Sequence, residues 1–288
     1  MLVSPPADQT RPVAAVRLDA DLLRSWPMPI DHDGDKYSRG TVLVVGGSPT
    51  TPGAVLLAGR AALRMGAGRL QIATDPDVAT AVAVAVPEAM VQPVHSAADA
   101  PLLESIAAAD AVVVGVGMIG DGVARMVEAV LRHARPDAVV VLDAAAIMVF
   151  AELDAELVED ARSRIVMTPN RQEARSLVAQ PQDDDVAVLV QASRITGAVL
   201  TSFGGVYAPD GRIWQTDVEA LGLGTSGSGD VLAGLVGGAA ARSGDPSRAA
   251  CWATFAHHEA GRCLQDRVGA VGYTASDLVA ELPACLPR

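Results

Sequence analysis

Cysteine is scarce in this chain of 288 residues: Cys251, Cys263 and Cys285 are the whole supply, and no two form a Cys-x-x-Cys pair. No disulfide framework and no zinc site is expected from that spacing, and a reducing cytoplasm is the expected compartment. Aromatic residues make up 3% of the chain, which argues against a surface built to stack nucleic-acid bases. Basic residues are outnumbered, 22 Lys and Arg against 34 Asp and Glu, for a formal charge of −12. An acidic chain without a basic run is poorly suited to a phosphate backbone, so no nucleic-acid partner is expected. The charge-free stretches 78–87 and 231–241 fall well short of the roughly 18 residues of a membrane span, so no membrane partner is expected either. Residues 1–12 lack the apolar core of a secretion signal.

Half of the residues are hydrophobic, enough for a sizeable core and too many for a disordered chain. Five prolines punctuate residues 1–35, which read as a peripheral N-terminal arm with at most a short helix within 13–26. From residue 36 the pattern is regular. Short β-rich runs at 41–45, 70–74, 111–114, 138–142, 165–167 and 198–201 predict strands. Helices are expected at 53–65, 123–134, 173–179, 186–194, 230–242, 247–264 and 275–282. Pro209-Asp210-Gly211 between 206–207 and 212–215 signals a hairpin. Strands alternating with helices predict βαβ units and a mainly parallel sheet, and no linker divides 36–288, which read as one domain. In such sheets ligands bind at the carboxyl ends of the strands. Gly46-Gly47, Gly115-Val116-Gly117, Asp143 and Thr168-Pro169-Asn170 all fall at those ends.

The segment richest in chemistry is Leu221-Gly222-Leu223-Gly224-Thr225-Ser226-Gly227-Ser228-Gly229-Asp230, followed at once by an apolar helix. Glycines let successive backbone amides turn toward one point. A helix start adds unpaired donors and the positive end of a dipole. Together they predict an anion hole for a polyphosphate. Asp230, at the helix start, is placed either to cap it or to face the ligand as a base. The segment lacks the Gly-Lys-Ser/Thr of a P-loop, and no strand directly precedes its glycines as a dinucleotide fingerprint requires.

This motif resembles the anion hole of the ribokinase-like superfamily. Within it, the chain is similar to the ADP/ATP-dependent NAD(P)H-hydrate dehydratases from about residue 36 onward. The resemblance rests on an ordered set: Lys36-Tyr37-Ser38-Arg39-Gly40, Gly46-Gly47-Ser48, Thr51-Pro52-Gly53-Ala54, Arg64-Met65-Gly66-Ala67-Gly68, Pro87-Glu88, Gly115-Val116-Gly117-Met118, Leu142-Asp143-Ala144 and Gly224 through Asp230. It implies an α/β fold, a three-layer α/β/α sandwich around a mainly parallel sheet. It also implies a reaction: ADP or ATP phosphorylates the hydroxyl of hydrated NAD(P)H, and phosphate leaves to restore NAD(P)H.

By the same resemblance Asp230 is the catalytic base. Ala54, Gly117, Asn170 and Asp230 bind the hydrate. Thr201, Ser202, Phe203, Gly204, Gly205, Gly227, Ser228 and Gly229 bind the nucleotide, and Glu173 holds Mg²⁺ through water. A homo-oligomer is implied, as is a functional partnership with a separate NAD(P)H-hydrate epimerase, the arm being too short for that domain.

Each role has a plainer alternative. Ala54 can serve helix packing, Gly117 a turn, Asp143 a cap, and Glu173 the dipole of a helix start. Two positions depart from the family. Asn170 stands in Thr168-Pro169-Asn170-Arg171-Gln172-Glu173 where a His is usual. Thr201 stands where a strand-end Lys is usual, and Arg171 is a candidate replacement charge. Lys36 and Arg39 are further candidates for substrate phosphates. His257-His258-Glu259 cannot be a metal pair, because adjacent helix positions diverge by about 100°; it marks a helix packed behind the anion hole. Two rival functions remain open on the sequence: a small-molecule kinase of the same superfamily, acting on a vitamin precursor or sugar alcohol, and a degenerate, non-catalytic nucleotide binder.

Overall fold

The computed structural model describes residues 14–29 and 34–287. In chain order the elements are β1 (Val16–Arg17), α1 (Ala20–Ser25), β2 (Thr41–Val45), α2 (Gly53–Arg64), β3 (Arg69–Thr74), α3 (Pro76–Ala85), β4 (Ala89–Pro93) and α4 (Ala100–Ala108). There follow β5 (Ala111–Val114), α5 (Val123–His133), β6 (Val139–Leu142), α6 (Ala145–Met148), α7 (Ala155–Ala161), β7 (Ile165–Met167), α8 (Arg171–Ser176) and α9 (Asp185–Thr196). The chain closes with β8 (Val199–Ser202), β9 (Gly205–Tyr207), β10 (Ile213–Gln215), α10 (Ser228–Ser243), α11 (Pro246–Arg267) and α12 (Ala275–Cys285).

Among the described residues the strands form one ten-stranded sheet, ordered β1-β10-β9-β8-β7-β6-β5-β2-β3-β4. β2 through β8 pair in parallel, and β9 runs antiparallel to both β8 and β10. The Val-rich strands are buried on both faces, as a parallel sheet covered by helices requires. Along β2, Val42 and Val44 join a core under α2, α10, α11 and α12, while Leu43 and Val45 join one under α4, α5 and α9. Val139 and Val141 of β6 alternate with Val140 and Leu142 in the same way. This is the α/β architecture expected from the sequence.

Helices α2 and α10 lie unusually close. A Cβ added at Gly234 would stand 2.1 Å from Ala58 O, and one at Gly238 would stand 2.4 Å from Ala62 O. Only glycine at these two positions lets the backbones approach.

Two expectations change in detail. The short helix expected within 13–26 is present as α1, capped by Asp19, but a strand that was not expected, Val16–Arg17, precedes it and pairs with β10. Residue 13 lies outside the described residues. Leu18, Leu23 and Met28 are buried, so this part of the arm is seated in the core rather than peripheral. Hydrophobic periodicity also fails to reveal α3, β4 and α4. The Ala/Val run of α3 has no polar face to set a period, although Asp75 caps it and Pro76 opens it. Among the described residues no helix is long and apolar enough to cross a membrane.

Candidate active site

Connections from β2 run outward to β3 and β4 on one side, whereas β5 onward builds the other side. The sheet therefore switches direction between β2 and β5, where the crevice of an open α/β sheet is expected. Gly46-Gly47 and Gly115-Val116-Gly117 flank that point. Gly117 has φ +62°, and a Cβ there would stand 2.7 Å from both the Ala54 Cβ and Thr51 O. Ala54, in the first turn of α2, thus packs directly on Gly117. Thr51 ties the two loops, donating its hydroxyl to Gly117 O at 2.8 Å and lying 2.6 Å from the Ser48 hydroxyl.

The glycine-rich segment forms a 3-10 turn, Leu221–Gly224, and then α10. Gly227, at φ +85°, is the cap residue, and no side chain caps the helix. The amides of Gly229 and Asp230 consequently lack intrahelical partners. A Cβ at Gly229 would meet nothing within 4 Å, so the cradle faces open space. Its underside is solid: a Cβ at Gly227 would reach 2.5 Å from Leu57 of α2 and 3.2 Å from Ala275 of α12. Ser228 is buried, and its hydroxyl lies 2.9 Å from His257 Nε2 on α11. His258 Nδ1 lies 3.0 Å from Val218 O. The two histidines therefore brace the loop from behind.

Three carboxylates converge here. Burial raises the Asp230 carboxyl to about 6. Asp143, at the end of β6, is 5% exposed and accepts a 2.5 Å hydrogen bond from the Thr168 hydroxyl. Burial, then repulsion from Asp230 and Glu173, raises it to about 7 against that hydrogen bond. Burial also raises Glu173, while the Asn170 amide it accepts from pulls the other way. Backbone strain marks the same rim. Among the described residues only Ala144 (φ 48°) and Phe203 (φ 49°) are non-glycine residues at positive φ, and they follow β6 and β8.

The remaining predicted residues are distributed unevenly. Asn170 is exposed, and its side-chain oxygen is spent capping α8, accepting from the amides of Gln172 and Glu173. Glu173 completes that capping box. Thr201 is fully buried and does not face the cleft: its hydroxyl lies 2.5 Å from that of Thr254 on α11. A lysine there would have to bury its charge or leave the core. Ser202 donates to Pro169 O at 2.6 Å, fastening β8 to the turn after β7. Phe203, 48% exposed, and Gly204, at φ +73°, form the tight turn into Gly205 of β9. Arg171 lies over the Phe203 ring at 5.6 Å and pairs with Asp185 at 2.8 Å. Lys36 and Arg39 precede β2 and so lie at the amino end of the sheet, opposite the crevice. They do not belong to this site.

Sequence reasoning missed the Thr168–Asp143 bond and the link from Ser228 to His257. It also missed a cavity of about 660 Å³ next to the Ser48–Thr51–Gly117 bridge, lined by Gly47, Ser48, Thr74, His95 and Met118 among others. Asp230 does not line this cavity. The buried Thr74 hydroxyl beside it has no hydrogen-bond partner.

Known proteins resemble this chain in sequence and fold. The ADP-dependent (S)-NAD(P)H-hydrate dehydratase of Xanthomonas campestris pv. campestris is 40% identical over 292 residues, covering 93% of this chain and 95% of that one. The bifunctional NAD(P)H-hydrate repair enzyme of Escherichia coli K12 is 31% identical over 92% of the chain, which spans about half, 51%, of that relative's length. The fold is that of the ADP/ATP-dependent NAD(P)H-hydrate dehydratase from Bacillus subtilis, co-crystallised with ATP/Mg²⁺. The TM-score is 0.77 at 23% identity, over 94% of this chain and 98% of that one. The family model described as NAD(P)H-hydrate dehydratase matches residues 42–284, and the chain belongs to that family.

Proposed function

We propose that the chain repairs hydrated NAD(P)H at the expense of ADP or ATP, with residues 36–288 as its catalytic unit. The observation that carries this reading is the open amide cradle of Gly229 and Asp230, with the Asp230 carboxylate half-buried at its lip. Phosphoryl transfer needs little covalent chemistry from a protein. It needs alignment and stabilisation of charge. The cradle receives the terminal phosphate. Ala54 and Gly117, with no side chain beyond a methyl between them, let the hydrated ring lie close to the backbone. Asp230 takes the proton from the ring hydroxyl as its oxygen attacks phosphorus. The nucleotide's terminal P–O bond breaks in that step, and the shortened nucleotide leaves with its electron pair. Phosphate then departs from the new ester with the C–O electron pair, and loss of a proton from the neighbouring carbon restores the ring double bond. The 660 Å³ cavity gives room to the rest of a dinucleotide.

On the nucleotide side, Gly227, Ser228 and Gly229 hold the phosphates, and Ser202, Phe203, Gly204 and Gly205 line the approach. Thr201 supports them from the core. Asn170 meets the substrate through the amide nitrogen that its capping role leaves over. Asp143, Asp230 and Glu173 offer hard oxygen donors, and a divalent cation would relieve the repulsion that Asp230 and Glu173 exert on Asp143, which fits Mg²⁺. Glu173 would reach it through water, and the bound ion would neutralise phosphate charge. On this reading the enzyme works in the cytoplasm as a homo-oligomer. Relatives that carry two repair functions on one chain support a functional partnership with an epimerase.

The test is incubation with hydrated NADH and either nucleotide. Return of reduced-nicotinamide absorbance with one phosphate released per ring repaired is expected. A stable phosphorylated product would instead mark a small-molecule kinase. A nucleotide-induced rise in Tm without turnover would mark a non-catalytic binder.

A further inference from the structure

Cys263, Glu281 and Cys285 meet where α11 and α12 pack together, apart from the crevice residues described above. One ligand atom from each lies within 4.8 Å of the others. Glu281 and Cys285 are four residues apart on α12, so both project from one helical face. Cys263 faces them from α11, with its sulfur 3.7 Å from that of Cys285. A disulfide would require about 2.05 Å. Two thiolates on a tetrahedral zinc ion, each about 2.3 Å from it, stand about 3.8 Å apart. The observed separation, that of an S–H···S contact between two thiols, already matches this spacing, so both sulfurs could take a metal with little movement. Glu281 supplies a third ligand of the right kind, and Cys263 and Glu281 are only partly buried, so water can reach the fourth position.

We infer that Cys263, Cys285 and Glu281 form a binding site for a thiophilic divalent cation of the Zn²⁺ class, with water completing the tetrahedron. Sulfur donors favour such an ion over Mg²⁺ or Ca²⁺. Two guanidinium groups border the site: Arg262, itself paired with Glu259 and Asp266, donates to the Cys263 sulfur at 3.6 Å, and Arg267 pairs with Glu281 at 2.7 Å. Arg267 is 62% exposed and free to swing aside when Glu281 turns to the metal. The ion would pin the end of α12 to α11. The opposite end of α12 matters for the crevice, because Ala275 underlies Gly227 and Tyr273 underlies Gly222. The inference does not depend on which reaction the crevice performs.

The experiment titrates the reduced full chain with Zn²⁺ and, in parallel, with Co²⁺. One Zn²⁺ per chain is expected to protect two thiols from a thiol reagent. It should raise Tm by about 5 °C at a hundredfold excess over Kd. Co²⁺ should give sulfur-to-metal charge-transfer absorption. Cys285→Ser and Cys263→Ser should abolish that band, and Glu281→Gln should weaken the metal about tenfold. The crevice carboxylates have no sulfur and cannot produce the band. Absence of the band in the unsubstituted protein overturns the site, whatever the variants do. So does Zn²⁺ binding of unchanged affinity in a Cys263→Ser, Cys285→Ser double variant.

Discussion

The Ser228 hydroxyl lies 2.9 Å from His257 Nε2, and the Ser228 carbonyl oxygen lies 3.1 Å from the same nitrogen. His257 Nδ1 has no partner. An orphaned buried acceptor costs less than an orphaned buried donor, so the proton belongs on Nε2, where it is donated to Ser228. Burial, then the neighbouring His258, drives the imidazole down to about 3 and keeps it neutral. His257→Ala removes this brace and opens a cavity. Denaturant unfolding should show a loss of about 3 kcal/mol, and the nucleotide KM should rise because the amide cradle loses its backing.

Asp230→Asn should lower turnover at least ~100-fold, the scale of lost general-base assistance, while nucleotide still raises Tm. Near-normal turnover would remove Asp230 from the mechanism. If Asp230 acts as the base, kcat/KM of the unsubstituted enzyme should fall as pH drops through about 6, because burial has raised its carboxyl to that value and a base works only when ionised.

Asp143 links pH to stability. Its folded-state value, about 7, lies above its ordinary 3.8. Its favourable contribution is therefore complete below about 3.8 and is lost as pH rises through about 7. Asn can still accept from Thr168 but carries no charge. Asp143→Asn should therefore raise Tm relative to the unsubstituted protein at pH 8 and do so much less at pH 5. A Tm difference independent of pH would show that the carboxylate ionises freely.

Gly117→Ala should destabilise the fold by about 2–3 kcal/mol, combining left-handed backbone cost with contacts against Ala54 and Thr51. If the paired surface carries the hydrated ring, kcat/KM should fall further than stability alone explains, measured at a temperature where both proteins are folded.

The strands were the most legible part of the sequence, because Val and Ile runs such as Val139–Leu142 stop at glycine, aspartate or proline. The glycine segment before α10 was legible for a similar reason, since small residues followed at once by an apolar helix have few other uses. The role of Thr201 was not legible. A threonine at a strand end reads the same whether it faces a ligand or Thr254, and only packing against α11 decides. Asn170 and Glu173 spell a capping box, and the structure makes one, which leaves any ligand role to be shared with that duty. The meeting of Cys263 with Cys285 was hidden because they sit 22 residues apart on successive helices, and spacing rules read only along the chain.

Gly234 and Gly238 have a reach beyond their own neighbourhood. By letting α10 seat on the bare backbone of α2, they weld into one block the helix that begins beside Asp230 and the helix that carries Ala54 in its first turn. The gap between Asp230 and the Ala54–Gly117 surface is then set like the jaws of a fixed gauge. Any gating motion during turnover must come from the flanking loops, because sliding these two helices would drive backbone into backbone.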